Sequence, residues 1–259
     1  RTLHNPKKFY GIAQRAGRAT VSITWDFLPY IEGHGGSYFR DSDGGDYFVT
    51  INSEAGRTAL ETYVGLAKEL GPENSANLTQ GDLIQLLVTG KLLHTVLPAA
   101  AWAQMDDPNK SAVVGKIGYA EGFASTPALG HWLGGIPKNI PDANKQAALA
   151  FLDWFQKPET QIKYAELGGA PVSAAAYESD FADLPENRYM QAMRVAAPLA
   201  KGMWTIPEGA ELASVMELGL NRAVAGEISV VDTLNAMAAD LEKVLADAGY
   251  ETGRLPDLK

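Results

Sequence analysis

Five tryptophans, Trp25, Trp102, Trp132, Trp154 and Trp204, are the side chains of this 259-residue chain whose type and placement best suit recognition chemistry. Trp25, Trp132 and Trp204 read as loop-mouth residues, and each has a polar neighbour: Asp26 follows Trp25, His131 precedes Trp132, and Glu208 lies shortly after Trp204. A flat indole covers C–H surface, and a short carboxylate or imidazole satisfies a hydroxyl that has lost water, so these couples suit a polyhydroxylated ligand. Each has a structural counterpart. Trp25 can pack under a helix with Asp26 as its N-cap, Trp132 can be a half-buried strand residue, and Glu208 can be a first-turn acid favoured by the helix dipole. Trp154, within Ala147-Ala-Leu-Ala-Phe-Leu-Asp-Trp-Phe155, reads as helix packing.

Other chemistries lack their motifs. Asp41-Ser-Asp-Gly-Gly-Asp46 fails as a calcium loop, which would need an oxygen ligand at Gly45, glycine at Asp46 and glutamate at Asn52; a turn between short strands fits better. The histidines at 4, 34, 94 and 131 have no metal-ligand spacing. Gly90-Lys91 is a helix stop, since no glycine precedes it by the interval of a phosphate loop. Gly-x-Ser-x-Gly is absent. Carboxylates are numerous enough for a paired acid and base, which keeps a glycoside-processing hydrolase as the alternative function, but no spacing brings two of them together.

A formal charge of −9 and a pI near 5.0 argue against nucleic acid as a partner. Cysteine is absent, which removes disulfides, thiolate metal sites, thiol nucleophiles and a lipid-modified cysteine. No apolar run approaches the roughly 20 residues that span a bilayer, so direct membrane insertion is not expected. Arg1 to Lys8 has no apolar segment behind its charges and does not read as a signal peptide.

The elements that would hold these residues alternate between helix and strand, an α/β pattern. Apolar positions at three and four predict a helix over 53–70, opened by Asn52 or Ser53 and ended by Gly71-Pro72. Further helices are expected at 79–89 with Gly90 as cap, 145–156, 158–167 opened by Pro158 and closed by Gly168, 186–199, 208–225, and 230–248 with Ser229 and Asp232 as a capping-box variant. Short strands are expected at 11–13, 47–50, 92–97, 117–120 and 130–136.

The order of several short segments resembles the carbohydrate-binding receptors of ABC importers, the family 1 extracellular solute-binding proteins. They are Tyr10-Gly-Ile-Ala13, Trp25-Asp-Phe-Leu-Pro29, Gly35-Gly36, Thr50-Ile-Asn-Ser-Glu54, Phe123-Ala124, Ser125-Thr-Pro-Ala-Leu-Gly-His-Trp-Leu-Gly-Gly-Ile-Pro-Lys-Asn139, Lys157-Pro-Glu-Thr-Gln-Ile-Lys163, Gly168-Gly-Ala-Pro171 and Ala246-Asp-Ala-Gly-Tyr250. The resemblance implies a type II-like periplasmic binding fold of two lobes that closes on a sugar or sugar alcohol and passes it to a membrane permease, in the periplasm, without cofactor or metal and without chemistry on the ligand. It places 1–126 and 170–259 in the second lobe and 127–169 in a hinge crossover with helices of the first. It implies that most of the first lobe is not in this chain, either because the chain is a fragment or because it is a natural short form.

By the same resemblance Trp25 and Asp26 lie at a ligand-contacting turn, His131 and Trp132 on the crossover facing the cleft, Trp102 in a turn that carries an aromatic contact in many relatives, and Trp204 to Glu208 in a segment that closes the cleft. The register at Trp102 is open because Ala99, Ala100 and Ala101 fill part of that turn. Without a first lobe, the apolar face around Leu149, Phe151, Leu152 and Phe155 loses its main partner, so 127–169 is expected to exchange rapidly or to pair with a second copy as a dimer. An incomplete cleft would leave a pure interaction domain.

Overall fold

A computed structural model describes residues 2–6, 8–18, 22–120, 126–130 and 133–259. Three hydrophobic clusters build it, and the first is the largest. It packs helices α1 (Ser22–Gly33), α2 (Glu54–Leu70), α9 (Gly209–Ala225) and α10 (Val230–Asp247) around Phe27, Ile31, Leu60, Tyr63, Leu212, Met216 and Leu241, all with no exposed surface. Tyr63 meets Phe27 and Tyr30 edge-on at centroid distances of 5.8 and 5.0 Å, the T-shaped geometry that aromatic quadrupoles favour. The antiparallel hairpin β2 (Phe39–Asp41) and β3 (Asp46–Val49) closes one side, its turn formed by the acidic stretch that resembled a calcium loop. The C-terminal tail is tied down beside it by Val49 N–H to the Gly253 carbonyl at 2.8 Å and Leu255 N–H to that of Val49 at 3.2 Å.

The second cluster holds the parallel pair β1 (Tyr10–Ile12) and β4 (Leu92–His94) with α3 (Gln80–Val88) and the short α4 (Trp102–Met105), around Leu83, Leu87, Leu92 and Met105. The third gathers α6 (Pro158–Glu166), α7 (Ala174–Tyr177) and α8 (Arg188–Ala196) around Ala165, Ala176, Tyr189 and Met190. A second parallel pair, β5 (Ala128–Leu129) with β6 (Lys201–Gly202), completes the strands found among the described residues.

Caps locate several helix ends. Ser53 accepts from Gly56 N–H, Thr79 and Asp82 form a reciprocal capping box, and Ser229 accepts from Asp232 N–H. Gly90, Gly168 and Gly226 follow helices with φ of 68°, 93° and 77°, a left-handed backbone that a Cβ would disfavour.

Three expectations need correction. Residues 117–120 form no strand, and the Ile117 carbonyl accepts from Arg188 Nε at 3.1 Å. The strand expected at 130–136 lies at Ala128–Leu129 instead, where it pairs with β6, and its described portion from 133 to 136 is irregular. Helix α5 (Asp142–Phe155) has no buried residue at all. Trp154, read as packing, is 52% exposed and Phe151 57%, and among the described residues the rings they meet are each other's and that of Phe155.

Candidate functional site

Two of the three strand pairs, β1 with β4 and β5 with β6, are parallel, so each has one carboxyl end from which two segments emerge side by side. In α/β sheets ligands bind in the crevice beyond such ends. The loop leaving β1 runs to α1 and Trp25; the segment leaving β4 runs to α4 and Trp102; β6 is followed by Met203 and Trp204. His131 and Trp132, which follow β5, lie outside the described residues. Trp25, Trp102 and Trp204 thus each follow, along the chain, a strand of a parallel pair.

Trp25 is half-buried in the first turns of α1. Asp26 beside it is 1% exposed and both its oxygens are engaged by Arg15: Oδ2 accepts from Arg15 N–H at 2.9 Å, and Oδ1 accepts from Nε at 2.9 Å and from Nη2. Burial pushes the Asp26 carboxyl up, and the Arg15 guanidinium and its hydrogen bonds pull the other way. Asp26 is neither the N-cap of α1, which begins at Ser22, nor presented to a ligand. Its carboxylate belongs to a buried pair.

Trp102 stacks on Tyr189 at 4.1 Å and 11°, and its Nε1–H donates to the Gly169 carbonyl at 3.4 Å. Tyr119 adds an edge-on contact to Tyr189 at 6.5 Å, and the Arg188 guanidinium lies 5.9 Å from the Tyr119 ring. Burial pushes the Tyr119 hydroxyl up to about 12, so it stays a neutral donor in any physiological medium.

Trp204 sits edge-on to Tyr38 and Phe39 at 5.8 and 5.5 Å, with Nε1–H donating to the Gly209 carbonyl at 3.1 Å. It lines a hollow of about 130 Å³ with Leu28, Ser37 and the Glu32–Lys201 ion pair. Glu208 is the residue before α9, and its carboxylate accepts from Tyr250 O–H at 3.1 Å. Trp204 and Glu208 therefore share a loop and Trp25 and Asp26 share a turn, while Trp102 belongs to the third cluster and Trp204 to the first, with no ring contact between them among the described residues. Sequence reasoning missed Arg15, Tyr119 and Tyr189. An amphipathic pattern in α8 could have placed Tyr189 inward, but nothing local marks Arg15 as the partner of a residue 11 positions on.

Residues 2–162 match the family of bacterial extracellular solute-binding proteins. A probable amino-acid ABC transporter periplasmic-binding protein of Sinorhizobium fredii (strain NBRC 101917 / NGR234) is 26% identical over 168 residues, which is 64% of this chain and 37% of that protein. Among solved structures, maltose-bound MalE3 of T. maritima superposes with a TM-score of 0.79 at 21% identity, over 92% of this chain and 61% of that one. A solute-binding protein of Agrobacterium radiobacter K84 in complex with ribitol gives 0.78 at 19%, over 94% and 62%, and one of Agrobacterium vitis S4 with bound D-mannitol gives 0.73 at 19%, over 95% and 63%. The chain thus spans about 60% of the length of the structures whose fold it shares. With 161 of its 259 residues inside the family's pattern, the chain belongs to the bacterial extracellular solute-binding protein family.

Proposed function

We propose that this chain binds a sugar or sugar alcohol as part of the substrate-binding component of an ABC importer, in the periplasm or outside the cell, and hands it unaltered to a membrane permease. The observation that carries the reading is the placement of Trp25, Trp102 and Trp204 beyond the carboxyl ends of parallel strands, where indole faces can cover the C–H surface of a polyol. Solved neighbours bound to maltose, ribitol and D-mannitol support the ligand class. Residues 127–169 are the crossover, and their exposed α5 face is consistent with a lobe boundary there. Closure of two lobes about this crossover would let one ligand contact both and so favour the closed state.

The name of the Sinorhizobium relative raises an amino-acid ligand as the competitor. A free amino acid needs a cation for its carboxylate and an anion for its ammonium group. Among the described residues the pair beside Trp25, Arg15 with Asp26, is buried and spent on itself, and the pair beside Trp204, Glu32 with Lys201, is likewise closed on itself, which favours a neutral polyhydroxylated ligand. Membership of a solute-binding family also favours binding over hydrolysis by paired carboxylates.

Calorimetry against maltose, ribitol, D-mannitol and a set of L-amino acids tests the reading, with chromatography of the incubated sugars. Saturable heat with a sugar or polyol and no product is expected. Binding confined to amino acids, or glucose released from maltose, would overturn it.

A further inference from the structure

Helix α1 carries Trp25 on a turn that cannot hold itself. Pro29 lies inside the helix, four residues after Trp25. It has no N–H to give to the Trp25 carbonyl, and its ring crowds that carbonyl, so the turn from Trp25 to Pro29 lacks the bond that would fix it. Burial of nine of the twelve residues of α1 and the Tyr38 O–H bond to the Thr24 carbonyl at 2.6 Å hold the helix in place, and a further tie on the turn itself would fix the orientation of the indole.

Asp26 supplies such a tie. Asp26, in the same turn, takes three hydrogen bonds from Arg15, one from the backbone and two from the guanidinium. Arg15 stands mid-loop, and the loop is stitched to the second cluster on both sides: Ala13 N–H donates to the His94 carbonyl at 3.2 Å, and Gly17 N–H to that of Leu78 at 2.9 Å. Arg15 Nη1 also donates to Gln80 Oε1 at 3.3 Å, on the first residue of α3. Gly17 has no room for a side chain, since a Cβ there would come within 3.0 Å of the Asn77 and Leu78 carbonyl oxygens. The loop is therefore held by the strand pair and α3, and Arg15 transmits that hold to the Trp25 turn.

We propose that Arg15 and Asp26 are positioning residues for Trp25, anchoring a proline-weakened turn of α1 to the loop leaving β1 so that the indole is preorganised for ligand. The importance of that orientation rests on the sugar-binding reading above; the mechanical tie does not. Two donors of one planar guanidinium converge on Asp26 Oδ1 while the backbone N–H donates to Oδ2, and the single ammonium of lysine does not reproduce that fixed fork. Preorganisation of an aromatic face raises affinity because the ordering is complete before the ligand arrives.

The test labels the protein with 5-fluorotryptophan and follows the fluorine signals, assigned by single Trp→Phe changes. In Arg15→Lys the Trp25 signal should shift and broaden while those of Trp102, Trp154 and Trp204 hold. Asp26→Asn leaves Arg15 as an unpaired buried cation and can unfold the chain; the double variant Arg15→Gln with Asp26→Asn removes both charges and should show the same selective change. Adding Pro29→Ala to either variant restores the missing helix bond and should sharpen the Trp25 signal again. Titration with maltose, ribitol and D-mannitol should then show affinity at least tenfold weaker in Arg15→Lys than in the native chain, and partly recovered with Pro29→Ala. An unchanged Trp25 signal in both charge variants, or equal broadening of all the signals, overturns the proposal. Failure of the native chain to bind any of the three probes overturns the sugar reading alone, since the fluorine signals decide the tie without ligand.

Discussion

Trp102→Ala should loosen the joint between the second and third clusters. Helix α4 is a seam: Ala101 and Met105, four residues apart, face the second cluster, while Trp102 between them turns to the third and stacks on Tyr189. Tryptophan buries roughly 150–250 Å² when fully enclosed, and a half-buried one removes about 100 Å² from water. At about 25 cal/mol per Å² that is about 2.5 kcal/mol, and an offset aromatic stack adds roughly 0.5–1.5. The sum, about 3–4 kcal/mol, falls within the usual range of about 3–5 for truncating a packed Trp to Ala. In a chain of this length it corresponds to a Tm lower by roughly 6–16 °C, at about 2–4 °C per kcal/mol. Trp102→Phe keeps a ring on Tyr189 and loses only the long bond to Gly169, so it should cost about 1 kcal/mol. Hydrogen exchange localises the effect: α8 (Arg188–Ala196) should lose protection first, because Trp102 stacks on its Tyr189 and, with the Arg188–Asp106 ion pair at 2.8 Å, ties it to the segment around α4. A drop in Tm of under 2 °C would refute the area argument, and unchanged exchange in α8 would refute the seam.

Trp25→Ala should weaken sugar affinity by about 30-fold or more, the loss of one aromatic anchor worth about 2 kcal/mol, with Tm nearly unchanged because Trp25 lies outside the core clusters; calorimetry and scanning fluorimetry read the two separately. Trp154→Ala should behave as a surface change within about 0.5 kcal/mol, against the core truncation its sequence context suggests, and a denaturant midpoint checks it. The aromatic patch of Phe151, Trp154, Phe155 and Tyr164 should drive self-association at high concentration, removed by Phe151→Glu with Trp154→Glu, as light scattering would show. Asp82, whose carboxyl the Thr79 hydroxyl and N–H hold below its ordinary value, stabilises α3 above the unfolded carboxylate range near 3.9. That contribution, under about 1 kcal/mol at so exposed a site, is lost as pH falls through the lowered value, so the difference in hydrogen exchange of α3 between the native chain and Asp82→Ala should be largest near neutral pH and shrink steadily as the pH is lowered into the acid range.

Helices with a cap written beside them were legible, because the cap is a local event: Ser53, Thr79 with Asp82 and Ser229 each satisfy an N–H within three residues. Strands were legible in part: those expected at 11–13, 47–50 and 92–97 meet β1, β3 and β4, while others fail because a strand two or three residues long is decided by its partner. Residues 117–120 carry β-type composition, yet the Ile117 carbonyl finds Arg188 before it finds a strand. Helix α1 shows the same limit from the other side. It has an internal proline and no acid in its first turn, so its local signals argue against a helix, and tertiary burial of nine of its twelve residues overrides them.

The candidate site divides along the same line. Residue type picked out Trp25, Trp102 and Trp204, since an indole near a chain turn is worth attention wherever it falls, and the structure sets all three after parallel strands. What each neighbouring carboxylate does was beyond reach. Asp26 and Glu208 looked equivalent, short acids beside an aromatic, but Asp26 is fully enclosed against Arg15 and Glu208 meets the Tyr250 hydroxyl across 42 positions. A buried carboxylate must find a cation, and the chain supplies one from a loop 11 residues earlier, where no periodicity or spacing rule points. The partner of Asp26 is therefore a residue that no local pattern marks, and it becomes visible only when the hydrogen bonds of the proline-broken turn are accounted for one by one.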